Sequence, residues 1–303
     1  MEKIVRLESI SQYNKMRGIE TLHPLVSLFD LSKAKPLEIP SDENTRFYYG
    51  FYAVFLKEIK CGDLRYGCSY YDYQEGSMVF VAPGQVLGVV RPISHVQPKG
   101  LALLFHPDLI RGTTLGQSIK KYTFFNYEIN EALHLSLNER EVILECFNKI
   151  GQELRHPIDK HSKTLIVNNI ELLLNYCMRF YDRQFITRSN VNKDILARFE
   201  KLLDEYFQSE ELPFSGVPTV KYCADKLHLS ANYFGDLIKK ETGKSPLEHI
   251  RLKLIDLAKE KLFDQGKTVS EISYELGFKH PQHFSRVFKN ETGYTPHQFR
   301  LLN

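Results

Sequence analysis

Residues 233–246, YFGDLIKKETGKSP, recur fifty positions further on as residues 283–296, HFSRVFKNETGYTP. Six of the fourteen positions are identical, and they include a Glu-Thr-Gly run in each copy. A solenoid needs at least three copies of its unit, and this chain shows two. The pattern therefore indicates a duplicated supersecondary unit in the C-terminal third of the chain.

Each copy has the residue pattern of two short helices joined by a tight turn. In the second copy, Thr268 and Glu271 have the spacing of a capping box. Gly277 suits the left-handed residue that ends a helix, and Pro281 suits the first turn of the next one. This order of signals predicts a helix-turn-helix, and the first copy predicts another over 220–242.

Amphipathic stripes accompany the two copies. Apolar residues keep helical spacing over 246–263, which predicts one long helix between the copies. A second stripe over 194–207 predicts a helix before the first copy. The core of a small all-helical domain explains every stripe, but it does not explain why the unit is duplicated and basic.

Charge is distributed unevenly along the 303 residues. The chain has 40 Lys and Arg against 37 Asp and Glu, a net charge of +3. Residues 219–303 hold 14 basic and 10 acidic residues, a net charge of +4, whereas the rest of the chain is at −1. A basic domain favours a polyanionic partner, but a solvated helical face has the same balance. Charge alone does not choose between these explanations.

Ten positions within 28 residues form a motif of specific residue types and spacing: Val269, Ile272, Gly277, Phe278, Phe284, Arg286, Phe288, Lys289, Gly293 and Pro296. On this motif, residues 194–303 resemble the DNA-binding domain of the AraC/XylS family of bacterial transcription regulators. Ser273 stands where the family usually has alanine. The resemblance implies an all-α domain with two helix-turn-helix motifs, double-stranded promoter DNA as its partner, and contact with RNA polymerase.

The second helix of each motif is predicted to read DNA. One α-helix fits the major groove, where its outward side chains reach base edges. Asn and Gln suit adenine and Arg suits guanine, so Asn232, Gln282 and Arg286 are predicted to contact bases. The lysines suit phosphates. The predicted DNA-binding residues are Ala231, Asn232, Gly235, Lys239 and Lys240 in the first copy, and Pro281, Gln282, Ser285, Arg286 and Lys289 in the second.

Two charged residues on these helices have an alternative role within the protein. Arg286 can form an intradomain ion pair, for instance with Glu275, because this position is often structural in the family. Asp236 would repel phosphates, so it is predicted to cap a helix or to pair within the domain.

The N-terminal part has the pattern of short β-strands. Turn signals bound the runs, which predicts antiparallel strands in a sandwich or barrel. Residues 76–84, GSMVFVAPG, resemble the cupin-like sensing domains that precede this DNA-binding domain in the family, which implies an antiparallel β-barrel over 1–130. The runs rich in aromatic and β-branched residues are 47–56, 77–81, 86–90 and 101–105.

The same region raises the question of a ligand. Seven of the 17 tyrosines fall between Tyr48 and Tyr73, and aromatic side chains at a barrel mouth suit a small apolar or aromatic effector. Ordinary core and edge positions are the better explanation of these tyrosines, so no effector-binding residue is assigned. His23, His95 and His106 are isolated and form no His-x-His pair, which argues against a metal site. No cofactor is predicted.

From residue 138 the pattern becomes helical. Two apolar stripes, over 142–154 and 165–177, predict a helical hairpin within 131–183. The resemblance implies that such helices join two subunits in a homodimer, while packing against the chain's own barrel explains the stripes equally. The polar residues 184–193 predict a linker to the domain at 194–303.

The fold class predicted from these segments is α+β and multidomain. No Gly-rich phosphate loop, Gly-x-Ser-x-Gly, His-Glu-x-x-His or Cys-x-x-Cys motif is present, so no enzyme is predicted. The five cysteines form no even framework and indicate reduced thiols in the cytoplasm. No signal peptide and no membrane-spanning stretch is predicted.

The sequence thus predicts a sequence-specific DNA-binding transcription regulator that responds to a small molecule bound by its N-terminal domain. One alternative is a cupin-type small-molecule enzyme fused to a helical domain. Another is a dimeric DNA-binding protein that needs no effector.

Overall fold

The chain divides into two compact units, Met1–Ile186 and Thr187–Asn303. The first combines strands with helices, and the described part of the second is helical. The computed structural model describes residues 3–35, 45–57, 76–88, 99–127, 131–264 and 266–302.

The described strands of the N-terminal unit form two sheets. One sheet has the strand order β1-β3-β6 and the other has the order β2-β7-β4-β5-β8. Neither closes on itself among the described strands, so the predicted barrel is not shown. The strands are β1 Lys3–Leu7, β2 Val26–Asp30, β3 Thr45–Tyr49, β4 Tyr52–Lys57, β5 Ser77–Val81, β6 Val86–Gly88, β7 Gly100–Phe105 and β8 Leu133–His134.

Strand direction departs from the prediction at one pairing. β1 and β3 pair in parallel, with Lys3 opposite Thr45, while the other pairings among the described strands are antiparallel. A parallel pair needs a long crossover, and α1 and β2 lie between these two strands in the chain. The prediction of antiparallel strands is therefore wrong for this pair.

The run predicted over 47–56 is two strands, not one. It breaks at Gly50, whose N–H donates to the Leu7 carbonyl at 2.8 Å. A Cβ at Gly50 would lie 2.9 Å from the Cα of Glu8, so only glycine fits this approach of the backbones. The runs at 77–81 and 101–105 are confirmed as β5 and most of β7. Residues 89–90 lie outside the described residues.

Helices complete the N-terminal unit. Most residues of the two predicted stripes are buried in this unit itself; Leu173 and Cys177 are both 0% exposed, whereas Leu165 is 44% exposed. The explanation by packing within the chain therefore holds for the buried residues of these two stripes. The helices are α1 Ile10–Arg17, α2 Pro107–Ile110, α3 Thr114–Ser118, α4 Leu137–Arg155 and α5 Ser162–Thr187.

The segment predicted as a linker, 184–193, is helical along most of its length. α5 ends at Thr187, and α6, Ser189–Gln208, begins two residues later. Polar straight-chain residues such as Arg and Gln are good helix formers, so a polar composition does not by itself prevent a helix. The role of this segment between two domains stays a prediction.

The C-terminal unit is built from helices around a phenylalanine core. Phe199, Phe234, Phe284 and Phe288 are all fully buried. The long helix α10 contacts α9 of the first motif and both helices of the second. After α6, the helices are α7 Leu212–Ser215, α8 Val220–Lys226, α9 Ala231–Thr242, α10 Pro246–Leu262, α11 Val269–Glu275, α12 Pro281–Thr292 and α13 Pro296–Leu302.

None of the helices in the described ranges is long and apolar enough to cross a membrane.

Candidate nucleic-acid interface

The first helix-turn-helix is formed by α8 and α9. Thr219 caps α8 by accepting from the Tyr222 N–H at 3.1 Å, and Ser230 caps α9 by accepting from the Tyr233 N–H at 3.2 Å. Between them the chain turns at His228, the one non-glycine residue of the described part with a positive φ, 59°. Gly243 ends α9 in the left-handed conformation. The predicted first motif is confirmed with these bounds.

The second motif, α11 and α12, has the local signals that the sequence predicts. Thr268 and Glu271 form a complete capping box. Gly277 turns the chain at φ 78°, and Pro281 occupies the first turn of α12. Gly293 ends α12 at φ 81°. Each predicted cap and turn residue is therefore found in its role.

The two turns differ in how closely they are packed. In the second motif a Cβ on Gly277 would lie 2.8 Å from the Cα of Gly216, just after α7, so the turn lies against that backbone. His228 is the matching position of the first motif, and it carries a side chain in the same left-handed region. The close approach of another backbone thus adds a steric constraint at Gly277 that is not seen at His228.

Burial divides α9 and α12 into two faces. The inner face holds buried aromatic and aliphatic residues, such as Phe234 and Leu237 on α9 and Phe284 and Phe288 on α12. The ten predicted DNA-binding residues lie off this core-facing stripe. Exposed among them are Ala231, Asn232, Lys239, Lys240, Gln282, Arg286 and Lys289, while Gly235, Pro281 and Ser285 are half-buried.

The predicted alternative for Arg286, an ion pair with Glu275, is wrong. Glu275 is bound instead by Lys261 at 2.7 Å and Lys267 at 2.6 Å. These two hydrogen bonds hold the pKa of the Glu275 carboxyl below its usual range. In the described part of the chain Arg286 forms no ion pair, and its guanidinium is exposed.

One exposed position was missed by the sequence argument. His283 aligns with Tyr233, which is 5% exposed, yet His283 itself is exposed on α12. Its ring lies edge-on to the Phe278 ring, with centroids 5.6 Å apart. The sequence signal for this exposure was the polar histidine at the position where the first copy has a buried tyrosine. Together with Lys279, which is also exposed, it extends the polar face of α12.

Arg300 shows the opposite case, a basic residue used inside the domain. Its Nε donates to the Leu262 carbonyl at 3.0 Å, which satisfies one of the unpaired carbonyls at the C-terminus of α10. A count of positive charges therefore overstates how many are available to a polyanion.

The structure describes some of the tyrosines and potential metal ligands of the N-terminal unit. Tyr49 is buried, Tyr48 and Tyr52 are half-buried, and the tyrosines at 66, 70, 71 and 73 lie outside the described residues. In the described ranges no three His, Cys, Asp or Glu side chains come together as metal ligands.

Comparison with known proteins identifies the C-terminal unit. Residues 223–301 match the family model described as a helix-turn-helix domain. The chain is 39% identical over 85 residues to the uncharacterized transcriptional regulatory protein YesN of Bacillus subtilis, a match covering 27% of this chain and 23% of YesN. It is 32% identical over 164 residues to the transcriptional activator RhaR of Escherichia coli, covering 54% of each chain.

Among solved structures, the chain is similar to the C-terminal domain of AraT, a response regulator from Geobacillus stearothermophilus. The identity is 25%, the match covers 36% of this chain and 85% of that one, and the TM-score is 0.32. The chain spans about half, or less, of the length of the two curated relatives described above.

The C-terminal unit is therefore a helix-turn-helix domain. The resemblance of this unit to the DNA-binding domain of AraC/XylS regulators is confirmed. YesN and RhaR are named as regulators of transcription.

Proposed function

We propose that the protein is a sequence-specific DNA-binding transcription regulator of the cytoplasm whose N-terminal unit senses a small molecule. The observation that carries the proposal is the division of α9 and α12 into a buried aromatic face and an exposed polar face. Such a helix can insert its polar face into a major groove while its other face stays anchored.

The exposed side chains support a division of labour between bases and phosphates. Asn232, Gln282 and Arg286 have the donor and acceptor groups that read base edges. Lys239 and Lys289 lie in the last turns of α9 and α12 and suit phosphates. The assignment of Arg286 to a DNA contact is supported by its lack of an ion-pair partner in the described part of the chain. Glu275, the acid expected to pair with it, is bound by two lysines instead.

The relatives support the partners that we propose. RhaR is named as a transcriptional activator, and we extend from this a contact with RNA polymerase. We also propose a homodimer, since a dimer would place four recognition helices on adjacent half-sites. The buried residues of the stripes, such as Leu173 and Cys177, cannot form its interface. Leu165 and Leu172, which are 44% and 39% exposed and two helical turns apart on α5, are the better candidates.

The test is to select bound sequences from random duplex DNA with the purified full chain. We expect one enriched site with repeated half-sites, and affinity that falls steeply with salt because phosphate contacts release counterions. The matched control is the full chain with Gln282→Ala and Arg286→Ala, which should keep salt-dependent binding but lose the enriched site. Failure to enrich any sequence, or affinity independent of salt, would contradict the proposal.

A second measurement distinguishes the proposed sensor from an effector-independent DNA-binding protein. Thermal unfolding of the full chain is followed against a metabolite panel. Stabilisation by one chemical class supports sensing, because a ligand that binds only the native state raises its stability. Unchanged stability across the panel favours the effector-independent protein.

A further inference from the structure

A cavity of about 510 Å³ lies between helix α4 and strand β2, at the edge of the five-stranded sheet. Its lining comes from the loop after α1, from β2 and the turn that follows it, from β7 and from α4, so all of it belongs to the N-terminal unit. Sites for small molecules have volumes of about 300–1,000 Å³. The cavity is therefore large enough for a small molecule, and it lies in the unit to which we assign sensing.

Apolar side chains form much of the lining of this cavity. Phe147 and Leu154 of α4 are buried, and Leu28 and Leu101 of the sheet are half-buried. Leu22, from the loop after α1, also belongs to the lining and is 47% exposed. An apolar group that fills the cavity removes this leucine surface from water, which is favourable. The lining thus favours a ligand with an apolar part.

Charged side chains of both signs line the same cavity: Glu20, Asp30, Lys33 and Arg155. Asp30 is already used within the protein, because it accepts from the Ser32 N–H at 2.8 Å and from the Ser32 Oγ at 2.7 Å. In the part of the chain that the structure describes, the side chains of Glu20 and Arg155 form no ion pair and no hydrogen bond. One carboxylate and one guanidinium of the lining are therefore available to a ligand.

The guanidinium of Arg155 folds back along its own helix. A Cβ at Gly151, one turn earlier on α4, would lie 3.6 Å from Nη2 of Arg155 and 3.1 Å from Cδ2 of Leu28. The guanidinium thus lies beside the apolar lining, in the room that the missing side chain of Gly151 leaves. Arg155 remains exposed, so a ligand that enters the cavity can reach it. A guanidinium presents a planar pair of donors that matches a carboxylate.

We propose that this cavity binds a free α-amino acid with a large apolar side chain. The Arg155 guanidinium donates to the carboxylate of the amino acid, and the Glu20 carboxylate accepts from its ammonium group. The apolar side chain packs against the apolar lining. One available group of each sign selects a zwitterion over a simple acid or a simple amine. This inference rests on the proposed sensing function and names the class of its effector.

The experiment follows thermal unfolding of the full chain with L-leucine and with L-phenylalanine at millimolar concentration. We expect at least one of them to raise the Tm by roughly 2–4 °C, because a ligand that binds only the native state stabilises it. Two derivatives of the responding amino acid each lack one charge: the N-acetyl acid has no ammonium group, and the amide has no carboxylate. Neither derivative should raise the Tm. Glycine, which has both charges but no apolar side chain, should not raise it either.

Variants of the lining test the two charged contacts. Arg155→Met and Glu20→Gln should each abolish the shift, while the Tm without ligand stays nearly unchanged because both side chains are exposed. Lys149→Met and Glu141→Gln are the matched controls. They remove the same charges from exposed positions of α4 outside the lining, and they should retain the shift.

Three results would overturn the proposal. They are no rise in Tm with leucine or phenylalanine, an equal rise with the N-acetyl acid or the amide, and a wild-type response of Arg155→Met or Glu20→Gln. The ligand series uses the wild-type chain alone, so it does not depend on how the variants fold. Stabilisation by another chemical class of the metabolite panel, without a response to amino acids, would reject this ligand and leave sensing intact. DNA affinity measured on the same samples tests the regulator proposal separately.

Discussion

Gly277 and Gly216 meet backbone to backbone, so that a Cβ on Gly277 would come within 2.8 Å of the Cα of Gly216. Gly277 also has φ 78°, which side chains other than glycine rarely adopt. Two independent constraints thus require glycine in the turn of the second motif. The first motif has His228 at this position with φ 59°, and only the conformational constraint applies there.

From this difference we expect opposite effects of substitution at the two turns. Gly277→Ala should lower the free energy of unfolding by about 2–4 kcal/mol, from left-handed strain and overpacking together. His228→Gly should raise it by up to about 1 kcal/mol, because it relieves strain alone. Chemical denaturation of the full chain measures both. Gly235→Ala, inside α9 with open space around the Cβ, is the control and should not destabilise.

The helix-turn-helix motifs are the part of the fold that the sequence predicts best. Thr268, Glu271, Gly277 and Gly293 act through the backbone of their own turn, so their roles depend on neighbours in the chain. The pairing of β1 with β3 depends on segments about forty residues apart, and no local pattern encodes it. A similar limit applies to the stripes of α4 and α5, because periodicity shows that a face is covered but not what covers it.

We predict that the Ser273 hydroxyl lowers the free energy of unfolding of the protein. Its side chain is fully buried on α11, and within the described residues its hydroxyl has no hydrogen-bond partner. Burying an unpaired hydroxyl costs about 1–3 kcal/mol, so Ser273→Ala should raise the free energy of unfolding by about 1 kcal/mol. Ser270→Ala, at an exposed position of the same helix, should change it little. A lower stability of Ser273→Ala would show that the hydroxyl is satisfied.

The pairing of Glu275 with Lys261 and Lys267 predicts a pH-dependent contribution to stability. The lysines lower the pKa of this carboxyl below its ordinary value of 4.5. Its contribution is therefore present above the unfolded pKa and is lost as the pH falls through the folded pKa.

Glu275→Gln should destabilise the domain by about 0.5–1 kcal/mol at neutral pH, a small effect because the side chain is 31% exposed. The difference from wild type should vanish below the folded pKa, where both side chains are neutral. Urea denaturation at a series of pH values checks this, with Glu260→Gln as the control for a charge lost elsewhere. A difference that persists in acid would mean that the carboxyl acts by packing and not by charge.

We predict that the homodimer forms through the exposed face of α5. Replacing both Leu165 and Leu172 with glutamate should give monomers of unchanged thermal stability, since these side chains are already largely exposed. Leu173→Glu should instead destabilise the N-terminal unit, because that side chain is fully buried. Sedimentation at micromolar concentration distinguishes the outcomes, with Ile158→Glu, before α5, as the control. A wild-type monomer would rule out the dimer, and a dimeric double variant would rule out this face.

The last prediction concerns how α9 and α12 divide the recognition of DNA. The 17 residues of α10 span about 26 Å between the two motifs, and successive major grooves on one side of B-DNA lie about 34 Å apart. Offsets where the recognition helices pack, or bending of the DNA, can supply the difference. One protomer is therefore expected to contact two adjacent groove segments.

Within that arrangement Gln282 and Lys239 should behave differently when each is replaced by alanine. Gln282→Ala should relax base preference within one groove segment and cost about 1–3 kcal/mol on the selected site, as the loss of a base contact does. Lys239→Ala should weaken all sequences alike and reduce the salt slope by about 1, because Lys239 is exposed in the last turn of α9 and suits a phosphate. Affinities for the selected site and its single-base variants, at several salt concentrations, separate the two effects. Uniform loss with Gln282→Ala, or altered base preference with Lys239→Ala, would mean that the two roles are assigned wrongly.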